Sequence, residues 1–222
     1  AARIKDVTPG TKITLLSMGP EQAKAALKEC LAVGGDKAYL VSDRAFGGAD
    51  TLATSYTLKT AIEKLEETEG KFDIIFCGKQ AIDGDTGQVG PEMAQHLGLP
   101  QITYATAVDY RDGALQVRRE SDDGWEVVGP SAPEVTYAVE ARVEGGEVLV
   151  KRETGDGFEV PAASMPCVVT VTKPYFDPRF PTIKSKLAAG RAQIPTLTAD
   201  DLPVNRESIG LKGSPTKVKK SF

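Results

Sequence analysis

Phe72-Asp73-Ile74-Ile75-Phe76-Cys77, running on into Gly78-Lys79-Gln80-Ala81-Ile82-Asp83-Gly84-Asp85-Thr86-Gly87-Gln88-Val89-Gly90-Pro91, is the stretch from which the architecture of this chain can be read. The first six residues are too apolar to have a wet face and predict a buried strand. The Gly- and Asp-rich residues that follow end at Pro91, which is favoured in a first helical turn, ahead of Met93, Ala94 and Leu97 at helical spacing. Amides opening such a helix have no intrahelical acceptor and sit at the positive end of its dipole, a setting that suits phosphate. Gly84, Gly87 and Gly90 let backbone come close to a ligand, and Thr86 and Gln88 can donate; each bond to a charged oxygen contributes about 1.5–3 kcal/mol. Asp83 and Asp85 would repel a phosphate they faced, so ribose hydroxyls, backbone amides or Lys79 suit them better. The spacing also suits a plain turn that only starts a helix, and it matches neither GxGxxG nor the P-loop.

Upstream, the same alternation repeats. Lys12-Ile13-Thr14-Leu15-Leu16-Ser17 predicts a strand, Met18-Gly19-Pro20 a turn, and Ala23, Ala26, Leu27, Cys30 and Leu31 a helix that stops at Gly34-Gly35. Lys37 to Val41 predicts another strand, and Leu58, Ala61, Ile62 and Leu65 the inner stripe of another helix. Gln101-Ile102-Thr103-Tyr104 closes the series. Apolar strands alternating with helices call for an α/β fold with a parallel, doubly wound sheet, whose ligands sit at the carboxyl ends of the strands. That rule selects the turn at Met18, the loop from Asp43 to Thr54, and the loop from Gly78 to Pro91.

Beyond Gln101 the pattern changes. Thr103-Tyr104-Ala105 recurs as Thr136-Tyr137-Ala138, Val117-Arg118-Arg119-Glu120 as Val150-Lys151-Arg152-Glu153, and Asp123-Gly124-Trp125 as Asp156-Gly157-Phe158, always at an offset of 33. Each copy predicts antiparallel strands about an Asp112-Gly113 or Gly145-Gly146 turn. The expected organisation is a nucleotide-binding α/β domain over 1–172, with the tandem hairpin repeat at 103–168, and an irregular C-terminal tail over 173–222. Its prolines (Pro174, Pro178, Pro181, Pro195, Pro203, Pro215) and basic end (Lys212, Lys217, Lys219, Lys220) suit either a solvated tail or one docked on a partner.

Composition narrows the function. The 222 residues are 41% hydrophobic and 26% charged, enough for a core, and a net charge of −4 gives no overall attraction to nucleic acid or anionic lipid. Cys30, Cys77 and Cys167 are odd in number and set in apolar segments, which predicts buried thiols and a cytoplasmic location. With His96 as the only histidine, neither a zinc site nor a His-based triad can be assembled. No apolar run approaches the roughly 20 residues of a membrane span, and the start lacks the order of a signal peptide.

Gly78-Lys79-Gln80-Ala81-Ile82-Asp83 with Asp85, Gln88 and Gly90 resembles the signature of electron-transfer flavoprotein β subunits. Ser17-Met18-Gly19-Pro20, Ala25-Ala26-Leu27, Gly34-Gly35-Asp36 and Asp177-Pro178-Arg179-Phe180 extend the resemblance over nearly the whole chain. It implies an adenine-nucleotide α-hydrolase-like fold and a heterodimer with a larger α subunit that carries FAD, an electron-transfer unit not catalytic alone. By the same resemblance Met18 and the loop Gly78, Lys79, Gln80, Ala81, Ile82, Asp83, Gly84, Asp85, Thr86, Gly87, Gln88 and Val89 would contact the nucleotide. Members of the family begin with a further strand, central to the sheet, that has no counterpart here, so a gap in the sheet or a longer parent chain is expected.

Asp43 to Ser55 and Gly210 to Thr216 are similar to the electron-bifurcating branch, in which a second FAD replaces AMP, takes a hydride from NADH, and passes electrons to ferredoxin and the other flavin. Acyl-CoA or lactate dehydrogenases are the partners that this branch implies. Asp50 or Thr51 can cap the following helix, while Thr51 and Thr54, one turn apart, can bond a pyrophosphate or flavin edge. Arg179-Phe180-Pro181-Thr182-Ile183 is similar to the segment that recognises the dehydrogenase; Ile183 fits either a docking knob or a core position. The alternatives are an ordinary subunit holding AMP and a stand-alone adenine-nucleotide-binding regulator of the same fold.

Overall fold

A computed structural model describes residues 1–82, 84–111, 114–119, 141–144, 147–150, 165–171 and 177–216. Within these the α/β fold and parallel strand pairing expected from the alternation are present. The chain forms two compact units, Ala1–Gly70 with Pro178–Phe222, and Lys71–Asp177. The segment from Pro178 onward belongs to the same unit as the N-terminal residues, and the expected boundary at 172 lies outside the described residues.

In the first unit β1 (Thr14–Met18), β2 (Lys37–Val41) and β9 (Thr196–Leu197) form a parallel sheet in the order β1-β2-β9. Side chains alternate across it as a two-residue period requires. Leu15, Ala38 and Leu40 join Leu27, Ala23 and Leu31 of α2 (Ala23–Ala32) and Ile194 on one face. Leu16, Met18 and Val41 join Phe46, Ala61, Ala199, Leu202 and Ile209 on the other, where α3 (Thr51–Glu69) lies. The sheet is therefore covered on both faces. Helix α1 (Ala2–Val7) precedes it, its Lys5 bonded to Asp36 and to the Gly34 carbonyl.

The expected irregular tail contains α5 (Ile183–Arg191) and β9. Helix α5 starts at a capping box, with Thr182 and Ser185 each bonding the other's backbone amide. Lys28 of α2 donates to the Gly190 carbonyl at its other end.

The second unit holds a four-stranded sheet in the order β3-β8-β4-β5: β3 (Ile74–Gly78), β8 (Cys167–Val171), β4 (Gln101–Arg111) and β5 (Ala114–Arg119). Strands β3 and β4 each run parallel to β8, while β5 returns antiparallel to β4. Helix α4 (Val89–Leu97) follows β3 with Met93 and Ala94 buried. The parallel strands thus fall into two sheets, and among the described strands β1 pairs only with β2 and β3 only with β8.

The duplicated segment gives two hairpins of one register. Val108↔Val117 and Arg111↔Ala114 in the first correspond, at the same offset of 33, to Ala141↔Val150 and Glu144↔Glu147 between β6 (Ala141–Glu144) and β7 (Glu147–Val150). The turns at 112–113 and 145–146 and the third strand of each copy lie outside the described residues.

Candidate functional site

Both units place their candidate loops at the carboxyl ends of parallel strands, where ligands of such sheets bind. In the second unit β3 ends at Gly78, level with Val171 of β8, and the Lys79 amide donates to the Val171 carbonyl at 2.8 Å. The chain then leaves the sheet through exposed residues Gln80, Ala81, Ile82, Gly84, Asp85 and Thr86. Asp83 lies outside the described residues.

Two contacts shape this loop. The Asp85 amide donates to the Ala81 carbonyl at 2.9 Å, and the Gln80 side-chain amide donates to Asp85 Oδ1. Asp85 takes a positive φ of 52°, a conformation Asp tolerates better than most residues. Its carboxylate is thereby occupied within the loop. Gly87 also has positive φ, at 66°.

Gln88 is the N-cap of α4 and makes no side-chain cap, so the amides of Val89 and Gly90 open the helix without an intrahelical acceptor. Gly90 seats this end: a Cβ there would lie 2.5 Å from Thr170 Cγ2 and 2.9 Å from Cys77 Sγ. Strand β8 therefore carries both the backbone anchor of the loop and the side chain against which its helix rests. It was not expected from the sequence, although Cys167-Val168-Val169-Thr170-Val171 is a run of the apolar, β-branched kind that predicts a buried strand.

In the first unit Met18 ends β1, level with Val41, and the Gly19 amide donates to the Val41 carbonyl at 3.0 Å. The Met18 side chain is half-buried against the cluster that holds Val41 and Phe46. The loop after β2 turns on Asp43, whose carboxylate accepts from the amides of Ala45 at 2.9 Å and Ala199 at 3.0 Å. Those bonds hold it below the ordinary carboxylate range.

Asp50 is the N-cap of α3. Its Oδ1 accepts from the Ala53 amide at 3.0 Å, and its Oδ2 from the Thr216 amide at 3.1 Å and hydroxyl at 2.8 Å. Burial alone would raise its pKa; the Ala53 and Thr216 bonds outweigh that and lower it. Thr51 and Thr54, both half-buried, sit in the first turn beyond it.

Arg179, Phe180 and Ile183 are in the first unit with α1. Arg179 pairs with Asp6, while Phe180, Ile183 and Leu187 are 81%, 82% and 58% exposed, which makes Ile183 a surface residue and not a core one. Of the three cysteines expected to be buried, Cys167 is and Cys77 is half-buried; Cys30 is exposed, because α2 turns Leu27 and Ala32 inward in its place.

Parallel strands that open at their carboxyl ends into helix-starting loops, as in each unit here, are the architecture of the nucleotide-binding α/β proteins. A family profile, the electron transfer flavoprotein domain, matches residues 1–136 and 131–202. The chain is 46% identical, over its full length and 71% of the relative, to an electron transfer flavoprotein subunit beta from Megasphaera elsdenii. It is 43% identical to one from Clostridium acetobutylicum, over 96% of this chain and 67% of that one. The caffeyl-CoA reductase-Etf complex subunit CarD of Acetobacterium woodii is 38% identical over 99% of this chain and 70% of its own. The chain belongs to the electron transfer flavoprotein family, with the beta subunits as its relatives. Among the described residues no helix is long and apolar enough to cross a membrane.

Proposed function

We propose that this chain binds an adenine-containing nucleotide, FAD in preference to AMP, and works with an α subunit as the electron-accepting half of a bifurcating flavoprotein in the cytoplasm. The observation that carries the reading is the α4 N-terminus: Gln88 supplies no side-chain cap, and the loop ahead of it is exposed with its one described carboxylate, Asp85, tied to Gln80. Those donors fit a diphosphate. FAD, when bound, supplies the redox chemistry, accepting a hydride from NADH and releasing electrons singly to ferredoxin and to a second flavin.

This chain's own part is to hold and orient. Amides of Gly87, Gln88, Val89 and Gly90 would carry the phosphates, with Thr86 donating beside them, and Gly78 to Ile82 would border the adenosine. Thr51 and Thr54, at the start of α3, would bond the pyrophosphate or the flavin edge. The exposed Phe180, Ile183 and Leu187 would dock on an acyl-CoA or lactate dehydrogenase; the Acetobacterium relative, a caffeyl-CoA reductase complex subunit by name, favours the acyl-CoA class.

The test is to purify the chain with its α subunit and count nucleotides. Two FAD per heterodimer, with ferredoxin reduced by NADH, is the expected result. One FAD plus AMP would make this an ordinary carrier, and a chain that binds ATP as a homodimer without any flavoprotein partner would be a stand-alone regulator.

A further inference from the structure

We infer that Thr170 of β8 is a positioning residue for the nucleotide: its methyl group and the Cys77 thiol form the seat on which Gly90 sets the start of α4, so that Gly90 answers to the sheet and not to the ligand. The inference rests on the nucleotide reading given above and adds a residue role to it.

Strands β3 and β8 pair in parallel with Cys77 opposite Thr170, so both side chains leave the sheet on one face. A Cβ on Gly90 would stand 2.5 Å from Thr170 Cγ2 and 2.9 Å from Cys77 Sγ, the first about 1 Å inside the roughly 3.5–4.0 Å at which carbon atoms pack. Thr170 is 2% exposed, and β8 is held on one edge by β3 and on the other by β4, so it is the helix that would have to move. Gly90 itself is buried, and Met93 and Ala94, three and four residues on, continue the same face into the core. The other two glycines of the loop have different causes. A Cβ on Gly84 would meet nothing within 4 Å, and Gly87 is set by its positive φ.

The same strand fixes the other end of the loop. The Lys79 amide donates at 2.8 Å to the carbonyl of Val171, the residue after Thr170. Two successive residues of β8 thus hold both ends of the segment from Lys79 to Gly90, one through its backbone and one through its side chain. The Val89 and Gly90 amides, which open α4, stand where that seat puts them. A hydrogen bond to a phosphate oxygen keeps its strength over only about 0.5 Å of donor travel. Lifting the helix start by about 1 Å would break such bonds while leaving the Lys79 anchor in place.

The experiment uses the full chain with its α subunit, stripped of nucleotide, and FAD as the probe. It compares wild type, Gly90→Ala, Thr170→Ser, which removes the methyl and keeps the hydroxyl, and the double variant. Because every substitution lies in this chain, a changed affinity reports its own site. FAD affinity should fall on the order of tenfold in Gly90→Ala, change by less than about twofold in Thr170→Ser, and recover by at least about threefold in the double variant, where the helix start can settle into the space the methyl leaves. A purely structural glycine would move the urea midpoint of the complex and leave its FAD affinity alone. Unchanged affinity in Gly90→Ala, or a loss that Thr170→Ser does not recover, would overturn the seat while leaving the nucleotide reading intact. Should Gly90→Ala yield no folded complex, the double variant should restore one, and failure of both would likewise overturn the seat. A wild-type complex in which this chain holds no adenine nucleotide would overturn the nucleotide reading and the inference with it.

Discussion

A Cβ on Gly90 would meet Thr170 Cγ2 at 2.5 Å and Cys77 Sγ at 2.9 Å, and both neighbours belong to strands whose pairing fixes them. Gly90→Ala should therefore lower stability by about 1–3 kcal/mol through overpacking, despite alanine's better helix propensity, and a urea titration reads it directly. Cys77 and Cys167 offer a second test. Burial pushes their thiols up to about 11 and about 12, from an ordinary value of 9.0, whereas Cys30 is exposed. Near pH 8, iodoacetamide should modify only Cys30 in the native chain, with the other two reacting after unfolding. The same shifts set a sign for alkaline stability. Above about pH 9 the unfolded chain loses thiol protons that the folded chain keeps, so the free energy of unfolding, and with it stability, falls as pH rises. Tyr39, raised to about 12 by its hydrogen bond to Glu69, acts in the same direction. The urea midpoint should be lower near pH 10 than near pH 8, and equal midpoints would contradict the burial of these groups.

At the scale of elements, periodicity exposed those with one clear apolar stripe or run and hid the rest. Strands β1, β2 and β3 and helix α4 were legible because their apolar residues cluster at period two or 3.6. Helix α3 was legible from Ala61, Ile62 and Leu65, yet its buried face also holds Ser55, Thr57 and Thr60, which pattern-reading counts as polar. Their hydroxyls bond carbonyls of the same helix, at Leu52, Ala53 and Tyr56, and so enter the core satisfied. Helix α5 carries no such signature, for the opposite reason. Only Ala189 of it is buried, prolines flank it, and its capping box uses Ser185 where Glu or Gln would have announced it. The place of β8 between β3 and β4 rests on non-local pairing that no local pattern encodes. The candidate loop was legible in its residues, but the role of Asp50 was not, because its partner Thr216 lies 166 residues away. The exposure of α5 yields a prediction of its own. Ile183→Asp puts an acid at a helix N-terminus, where the dipole favours it, and removes no buried contact, so stability should change by less than about 0.5 kcal/mol. If the Phe180, Ile183 and Leu187 face docks on a dehydrogenase, the apparent KM for that partner should rise about tenfold, the usual weight of an apolar anchor. An unchanged KM in steady-state electron transfer would remove α5 from the interface.

For the molecule as a whole the duplicated hairpin poses the sharpest question, because only one copy can extend β4 from β8. Gln101, Ile102 and Ala105 make that junction, and all three precede Val108. Val108↔Val117 and Ala141↔Val150 occupy equivalent places in hairpins of identical register. Deleting residues 109–141 would join Val108 to Arg142, so that Arg142, Val143 and Glu144 complete β4 and Glu147–Val150 takes the role of β5. Every junction with β8 would be kept, and no strand would change its inward or outward alternation, since 33 residues is the offset of the copies themselves. Shortening the chain at a connection changes closure entropy only slowly with length, by about 0.6 kcal/mol per doubling. The deleted chain should therefore fold, unfold within a few degrees of the parent, and bind its α subunit with the same nucleotide content. Loss of the α subunit from a deletion variant that still unfolds cooperatively would instead assign the second hairpin to the heterodimer interface, and loss of folding would show that the copies are not equivalent where their registers say they are.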